Sequence, residues 1–184
     1  MPWLNVQENV ELGLKIQNLP AKQRADIATK MLQQVKLSGA EAKQIWELSG
    51  GMRQRVGIAR ALAVRSKYLL MDEPFGALDA FTREQMQDLV LDLWQHNQTG
   101  FFLITHDIEE ALVLATRLVL MAPFPGRIID ELAPPFSQQR RAGKSFRQIK
   151  SDPAFIEMRE YVFTRLNAQD TAQYEVSICP ALPP

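Results

Sequence analysis

The chain has 184 residues, 46% hydrophobic and 23% charged, with 21 basic and 21 acidic side chains and a formal net charge of zero. That balance fits one globular domain with a small appendage, and it excludes a nucleic-acid or anionic-lipid partner gripped by bulk charge. One cysteine, Cys179, cannot form an internal disulfide, no apolar run approaches the ~20 residues that span a bilayer, and Met1–Asn5 has no basic-then-apolar leader, so a cytosolic location is expected.

Val6, Val10 and Leu14 fall at helical spacing in residues 5–16. Ile27, Met31, Leu32 and Val35 mark a second amphipathic helix in 21–37, with Leu19-Pro20 between the two. A loop leads to Leu48-Ser49-Gly50-Gly51, and a helix is predicted behind it from Arg53 to Val64. Tyr68-Leu69-Leu70-Met71 reads as a buried parallel strand that ends in Asp72-Glu73-Pro74. Thr82–Gln95 is amphipathic, with Thr82 as its expected N-cap and Gln85 three residues on. Phe101–Ile104 reads as a second buried strand ending at Thr105-His106-Asp107, with Asp107 placed to cap the next helix. Leu118–Met121 is a third strand, and the turn residues Pro123, Pro125 and Gly126 make Arg127-Ile128-Ile129 its hairpin partner. Strands alternating with helices argue an α/β fold. Pro134-Pro135 marks a boundary, the stretch to Lys150 is polar and basic, and Asp152-Pro153 reads as the cap and first residue of a helix bearing Phe155, Met158, Val162 and Leu166.

Three places carry chemistry. Asp72 and Glu73 are adjacent acids at the end of an apolar strand, a costly arrangement unless the pair is used or paired. An Asp in that position suits Mg²⁺, which takes hard oxygen ligands and keeps several waters, and the next Glu can deprotonate a water. Alone, the pair is as easily a turn before a proline. Ser49, Gly50 and Gly51 precede a helix, where close-approaching N–H groups and the helix dipole favour a phosphate; by itself this would be a flexible turn. His106 ends a strand where it could hydrogen-bond a terminal phosphate, whereas His96 sits in a polar stretch and reads as a surface residue.

In order and spacing these pieces resemble one family. Leu48-Ser49-Gly50-Gly51-Met52-Arg53-Gln54-Arg55 resembles the ABC ATPase signature, although Met52 stands where that family more often has Gln. Leu69–Pro74 resembles its Walker B strand and catalytic Glu, Gly76-Ala77-Leu78-Asp79 its D-loop, and Ile104-Thr105-His106-Asp107 its switch histidine. Asp72–Ala80 with Thr82-Arg83-Glu84 is similar to the nitrate, sulfonate and taurine importer ATPases, and Ile149–Pro153 with Arg159–Val162 is similar to the tail of the taurine members.

The resemblance implies a partial P-loop NTPase fold, mostly parallel sheet with helices and lacking the phosphate-loop strand. It implies a cytoplasmic ATP-hydrolysing subunit, peripheral on the inner face of the membrane, that works with a transmembrane permease and, indirectly, a solute-binding protein. Two copies would sandwich ATP and Mg²⁺. Ser49, Gly50 and Gly51 of one copy would face the γ-phosphate bound to the other, and Asp79 would communicate across the dimer. Asp72 would hold Mg²⁺ through water, Glu73 would activate the attacking water and His106 would sense the γ-phosphate. Residues near Trp3 to Leu14 would lie where the permease docks.

Residues 1–135 are expected to be the C-terminal part of the ATPase domain, 136–169 a helical extension and 170–184 a disordered tail. No Gly-x-x-x-x-Gly-Lys-Ser/Thr loop occurs. Gly143-Lys144-Ser145 has Gln138 where the first glycine should stand, follows no strand, and reads as a surface loop. Without that strand, apolar neighbours such as Phe101–Ile104 would present open edges, and the 184-residue chain alone is expected to fold poorly and to be inactive. The competing readings are a truncated, non-hydrolytic module that docks on the transporter, and a soluble DNA-repair ABC ATPase. The latter would carry a long coiled coil, of which the sequence shows no sign.

Overall fold

The computed structural model describes residues 1–97, 99–123 and 125–176, with the side chains of 169–176 left aside. Two units emerge, Met1–Ile104 and the residues from Thr105 onward. In the first, α1 (Val6–Ile16) starts with a reciprocal cap: Asn5 Oδ1 accepts from the Glu8 N–H and Glu8 returns an acceptor to the Asn5 N–H. Pro20, fixed in φ, precedes α2 (Ala21–Gln34). A 3-10 turn at Ile45–Glu47 leads to α3 (Gly50–Ala63). These three helices pack on one another. Their core is Val6, Val10 and Leu14 of α1, Ala28 and Leu32 of α2, and Val56, Ala59 and Leu62 of α3. Gly13 is required there, because a Cβ would lie 2.4 Å from Val64 Cγ1.

Strand β1 (Tyr68–Asp72) follows, then α4 (Ala80–His96) and β2 (Gly100–Ile104). β1 and β2 pair in parallel, with Tyr68 opposite Gly100, Leu70 opposite Phe102 and Asp72 opposite Ile104. Both strands were expected to be buried, and only one face is covered. Met71 is buried beneath, but Tyr68, Leu70 and Phe102 are 70%, 71% and 58% exposed on the other face. A parallel sheet ordinarily has both faces covered. This one has two strands among the described residues, and one of its faces lacks a cover.

In the second unit, α5 (Ile108–Leu114) is capped by Asp107 as expected, the carboxylate accepting from the Glu110 N–H at 3.1 Å. β3 (Leu118–Ala122) and β4 (Arg127–Leu132) form the expected antiparallel hairpin, with a bulge between Leu120 and Met121. The described strands thus form two separate two-stranded sheets, one parallel and one antiparallel, instead of one mostly parallel sheet. The basic stretch after Pro135 is more structured than its composition suggests. It folds into α6 (Phe136–Arg141) and α7 (Phe146–Lys150) before α8 (Pro153–Val176), which runs past residue 169. The rest of the segment expected to be disordered, 177–184, lies outside the described residues. Phe136, Phe146, Ile149 and Phe155 join Leu112, Val113, Leu120 and Val162 in one core, where the Phe136 and Phe155 rings meet edge-on at 4.9 Å. No helix among the described residues is long and apolar enough to cross a membrane.

Candidate functional site

Ser49 is the N-cap of α3, so that helix begins three residues ahead of the expected Arg53. Ser49 Oγ accepts from the Met52 N–H at 3.3 Å, and Arg53 Nη1 donates to the Leu48 carbonyl at 2.6 Å. With its oxygen used as a cap acceptor, the Ser49 hydroxyl keeps its proton for an outside acceptor. Ser49 and Gly50 are exposed at the helix start, whereas Gly51 is buried. A Cβ on Gly51 would stand 2.6 Å from Thr82 Cγ2, and one on Gly50 would stand 3.9 Å from Leu78 Cδ2. The Ser-Gly-Gly turn is therefore seated directly on the Leu78–Thr82 turn.

That second turn corrects the expected cap. Asp79, not Thr82, starts α4: its Oδ1 accepts from the Thr82 N–H at 3.0 Å. Hydrogen bonds from Thr82 hold the Asp79 carboxyl below its ordinary pKa. Fixed this way, Asp79 lies in the turn that carries Gly50 and Gly51.

Asp72 closes β1 opposite Ile104, with its side chain exposed. The Glu73 N–H continues the ladder to the Ile104 carbonyl at 2.9 Å. Glu73 then turns into the left-handed region at φ +45°. This is costly for a residue with a Cβ and more unusual before Pro74, which biases its predecessor toward extended backbone. The strain turns the chain out of the strand at the acid pair. No group of three or more His, Cys, Asp or Glu that could hold a metal occurs among the described residues. One exposed strand-end carboxylate with a neighbouring acid suits Mg²⁺ bound largely by water and phosphate, and does not suit an all-protein cage.

His106 belongs to the second unit and is exposed between two fixed neighbours. Thr105 Oγ1 donates to Glu110 Oε2 at 2.6 Å, and the Asp107 N–H donates to Thr105 Oγ1 at 3.1 Å. Glu110 is buried, and sequence reasoning missed it as the anchor of this loop; an acid in the first helical turn gave no sign of facing inward. His106, Asp107, Glu109, Arg159 and Phe163 line one open cleft. Of the other residues expected to meet a partner, Trp3 is 72% exposed, but Val6, Val10 and Leu14 are buried in the three-helix core and do not offer a docking surface.

Known proteins resemble this chain in sequence and fold. The family model described as ABC transporter matches residues 1–76. The chain is 57% identical over 172 residues to the taurine import ATP-binding protein TauB of Escherichia coli O157:H7, covering 94% of this chain and 68% of that protein. It is 58% identical over 169 residues to the protein of the same name from Chromobacterium violaceum, covering 92% of this chain and 65% of that one. The chain thus spans about two-thirds of the length of these curated relatives. Among solved structures, CbiO1 from Clostridium perfringens, part of the ABC transporter complex cbiONQ, superposes with a TM-score of 0.67 at 24% identity, covering 83% of this chain and 59% of that one. A dimeric ATP-binding cassette in a post-hydrolysis state, bound to ADP and Pi, gives 0.60 at 31% identity, covering 72% and 58%. The chain has an α/β fold of the ABC ATPase kind and belongs to the ABC transporter ATP-binding proteins, closely related to the taurine import members.

Proposed function

We propose that the chain supplies the signature, acidic-strand and switch elements of the ATP-hydrolysing subunit of an importer for taurine or a related sulfonate or small anion. The observation that carries this reading is the 57% identity to a taurine import ATP-binding protein, which extends through 94% of the chain. The exposed Ser49–Gly50 helix start and the acid pair at the carboxyl end of β1 support it.

In this reading the bound Mg²⁺–ATP supplies the phosphoryl group and the charge that polarises it. The chain's own residues position and move protons. Asp72 would hold the Mg²⁺ through water. Glu73, projected out of the strand by its left-handed backbone, takes a proton from the attacking water. Ser49 and the N–H groups of the α3 start donate to the γ-phosphate of a second copy, with Asp79 in the turn beneath them. His106 senses a γ-phosphate by donating a hydrogen bond to it. Gly143-Lys144-Ser145 is not read as the phosphate cradle: it is the turn between α6 and α7, with Gly143 at φ +99° and Ser145 capping α7. The working location is the cytoplasmic face of the membrane, on a permease, with a solute-binding protein reached through it.

The test is ATP hydrolysis by the complete gene product assembled with its permease, comparing wild type with Glu73→Gln. Loss of a general base lowers kcat by ~10²–10⁴ with binding of ATP retained. A second reading, a module that docks without hydrolysis, is favoured by the uncovered apolar face of β1 and β2; it requires Glu73→Gln to change nothing.

A further inference from the structure

The loop that carries His106 is held from the C-terminal side of the chain. Glu109 sits in the first turn of α5, three residues after His106. Each of its carboxylate oxygens has its own cation: Lys150 Nζ, at the end of α7, lies 3.0 Å from Oε2, and Arg159 Nη1, on α8, lies 3.1 Å from Oε1. Arg159 is itself steadied by Glu160 at 3.0 Å. The same Arg159 and the neighbouring Phe163 share a cleft with His106, so α8 lies alongside the histidine as well as gripping the helix behind it. Burial pushes the Glu109 carboxyl up, but hydrogen bonds and charge from Lys150 and Arg159 outweigh it and hold the group ionised below its usual range.

We infer that Glu109, clamped by Lys150 and Arg159, is a positioning residue for His106, so that α7 and α8 set the orientation of the histidine. Thr105 and Asp107 fix the loop at its two ends through Glu110 and the cap of α5. Glu109 fixes the helical turn into which that loop runs. Two cations from two different helices on one carboxylate define a direction, where one exposed pair would define little. The inference rests on the proposed role of His106 only for its effect on hydrolysis; the orientation itself is independent of it.

The experiment records imidazole ¹H–¹⁵N correlations in the complete subunit, with the His106 signals assigned by their loss in His106→Gln. The double variant Lys150→Met/Arg159→Met is expected to shift and broaden them. Arg159→Lys, which keeps a cation on Oε1, is expected to retain the wild-type signals. Arg117→Met, which deletes the exposed Arg117–Glu131 pair at 2.6 Å, serves as a control and is expected to leave them unmoved. Lys150→Met alone, with the Arg159 contact intact, carries a smaller shift in the same direction if the double variant does not fold. Unchanged His106 signals in a folded Lys150 variant, or an equal change in the Arg117 control, overturn the inference. In the assembled transporter, the double variant is expected to lower kcat by ~10-fold with KM for ATP unchanged. A wild type that hydrolyses nothing counts against the proposed function and leaves the spectroscopic result to decide this one.

Discussion

Gly51 and Thr82 meet so closely that a Cβ on the glycine would lie 2.6 Å from the threonine Cγ2. The contact joins the start of α3, with the proposed signature turn, to the first turn of α4, with the turn that holds Asp79. The Thr82 hydroxyl is hydrogen-bonded to Asp79, which fixes its χ1, so the methyl cannot swing away without breaking that bond. Gly51→Ala is therefore expected to destabilise the protein by about 1–3 kcal/mol, although alanine is ordinarily the better helix residue by up to ~1 kcal/mol. Urea unfolding of the complete gene product measures this. Adding Thr82→Ser, which removes Cγ2, should restore most of the loss; a double variant as unstable as Gly51→Ala would show that some other contact is responsible.

Glu73 stores backbone strain at the proposed base. A non-glycine residue at φ +45° costs on the order of 1–2 kcal/mol relative to glycine. Glu73→Gly is expected to hold or raise the unfolding free energy, by up to ~1 kcal/mol after the glycine's extra chain entropy, while abolishing hydrolysis. Glu73→Gln keeps the strain and should leave the midpoint where wild type has it. A clear loss of stability in Glu73→Gly would mean that the side chain, not the backbone, is what the fold uses there.

These two sites mark how far the sequence could be read. The helices α1 and α2, the Asp107 cap and the Pro123–Gly126 hairpin were legible because periodicity and turn chemistry are local. The start of α4 was not, because Asp79 with Thr82 and Thr82 with Gln85 both satisfy the spacing of a cap, and only the geometry chooses Asp79. The backbone of Glu73 was hidden because Pro74 argues for an extended predecessor. Phe136, Phe146 and Ile149 sit in helices of five and six residues, too short to show a period, so a core read as a basic linker. The residues proposed to carry the chemistry were singled out through family resemblance; the buried Glu110 and the clamped Glu109 beside His106 carry no motif.

Acid should loosen the attachment of α8 to the hairpin. The Tyr161 hydroxyl donates to Asp130 Oδ2 at 2.5 Å and Arg165 Nε reaches the same oxygen at 3.3 Å. The hydrogen bond from Tyr161 is the largest cause holding the Asp130 carboxyl below its ordinary value, followed by the Glu131 N–H and the charge of Arg165. A depressed carboxyl stabilises the fold above the unfolded-state pKa of ~3.9, and that contribution fades as pH falls through the lower folded value. The stability difference between wild type and Tyr161→Phe is therefore expected to be constant above about pH 5 and to shrink below about pH 4. Thermal melts of both proteins from pH 7 down to pH 2 check it, and a difference that stays the same at the acid end would contradict the assignment.

The uncovered face of the parallel sheet makes a prediction about the 184-residue chain by itself. Tyr68, Leu70, Phe102 and Ile104 lie on one face in register, with Tyr68 over Gly100 and Leu70 beside Phe102. Apolar residues contiguous on an exposed sheet face, next to strands with unpaired edges, favour association with other copies. Light scattering of the isolated chain should accordingly report oligomers that grow with concentration. Leu70→Thr/Phe102→Thr keeps two residues that suit a strand while removing the apolar surface, and it should shift the population toward monomer without loss of helical circular dichroism. The buried neighbour on the opposite face supplies the contrast. Met71→Thr puts a hydroxyl into the covered side and leaves the exposed face intact, so it should lower the melting temperature without reducing association. If both variants affected association alike, the exposed face would not be its source, and general unfolding of the chain would explain the oligomers instead.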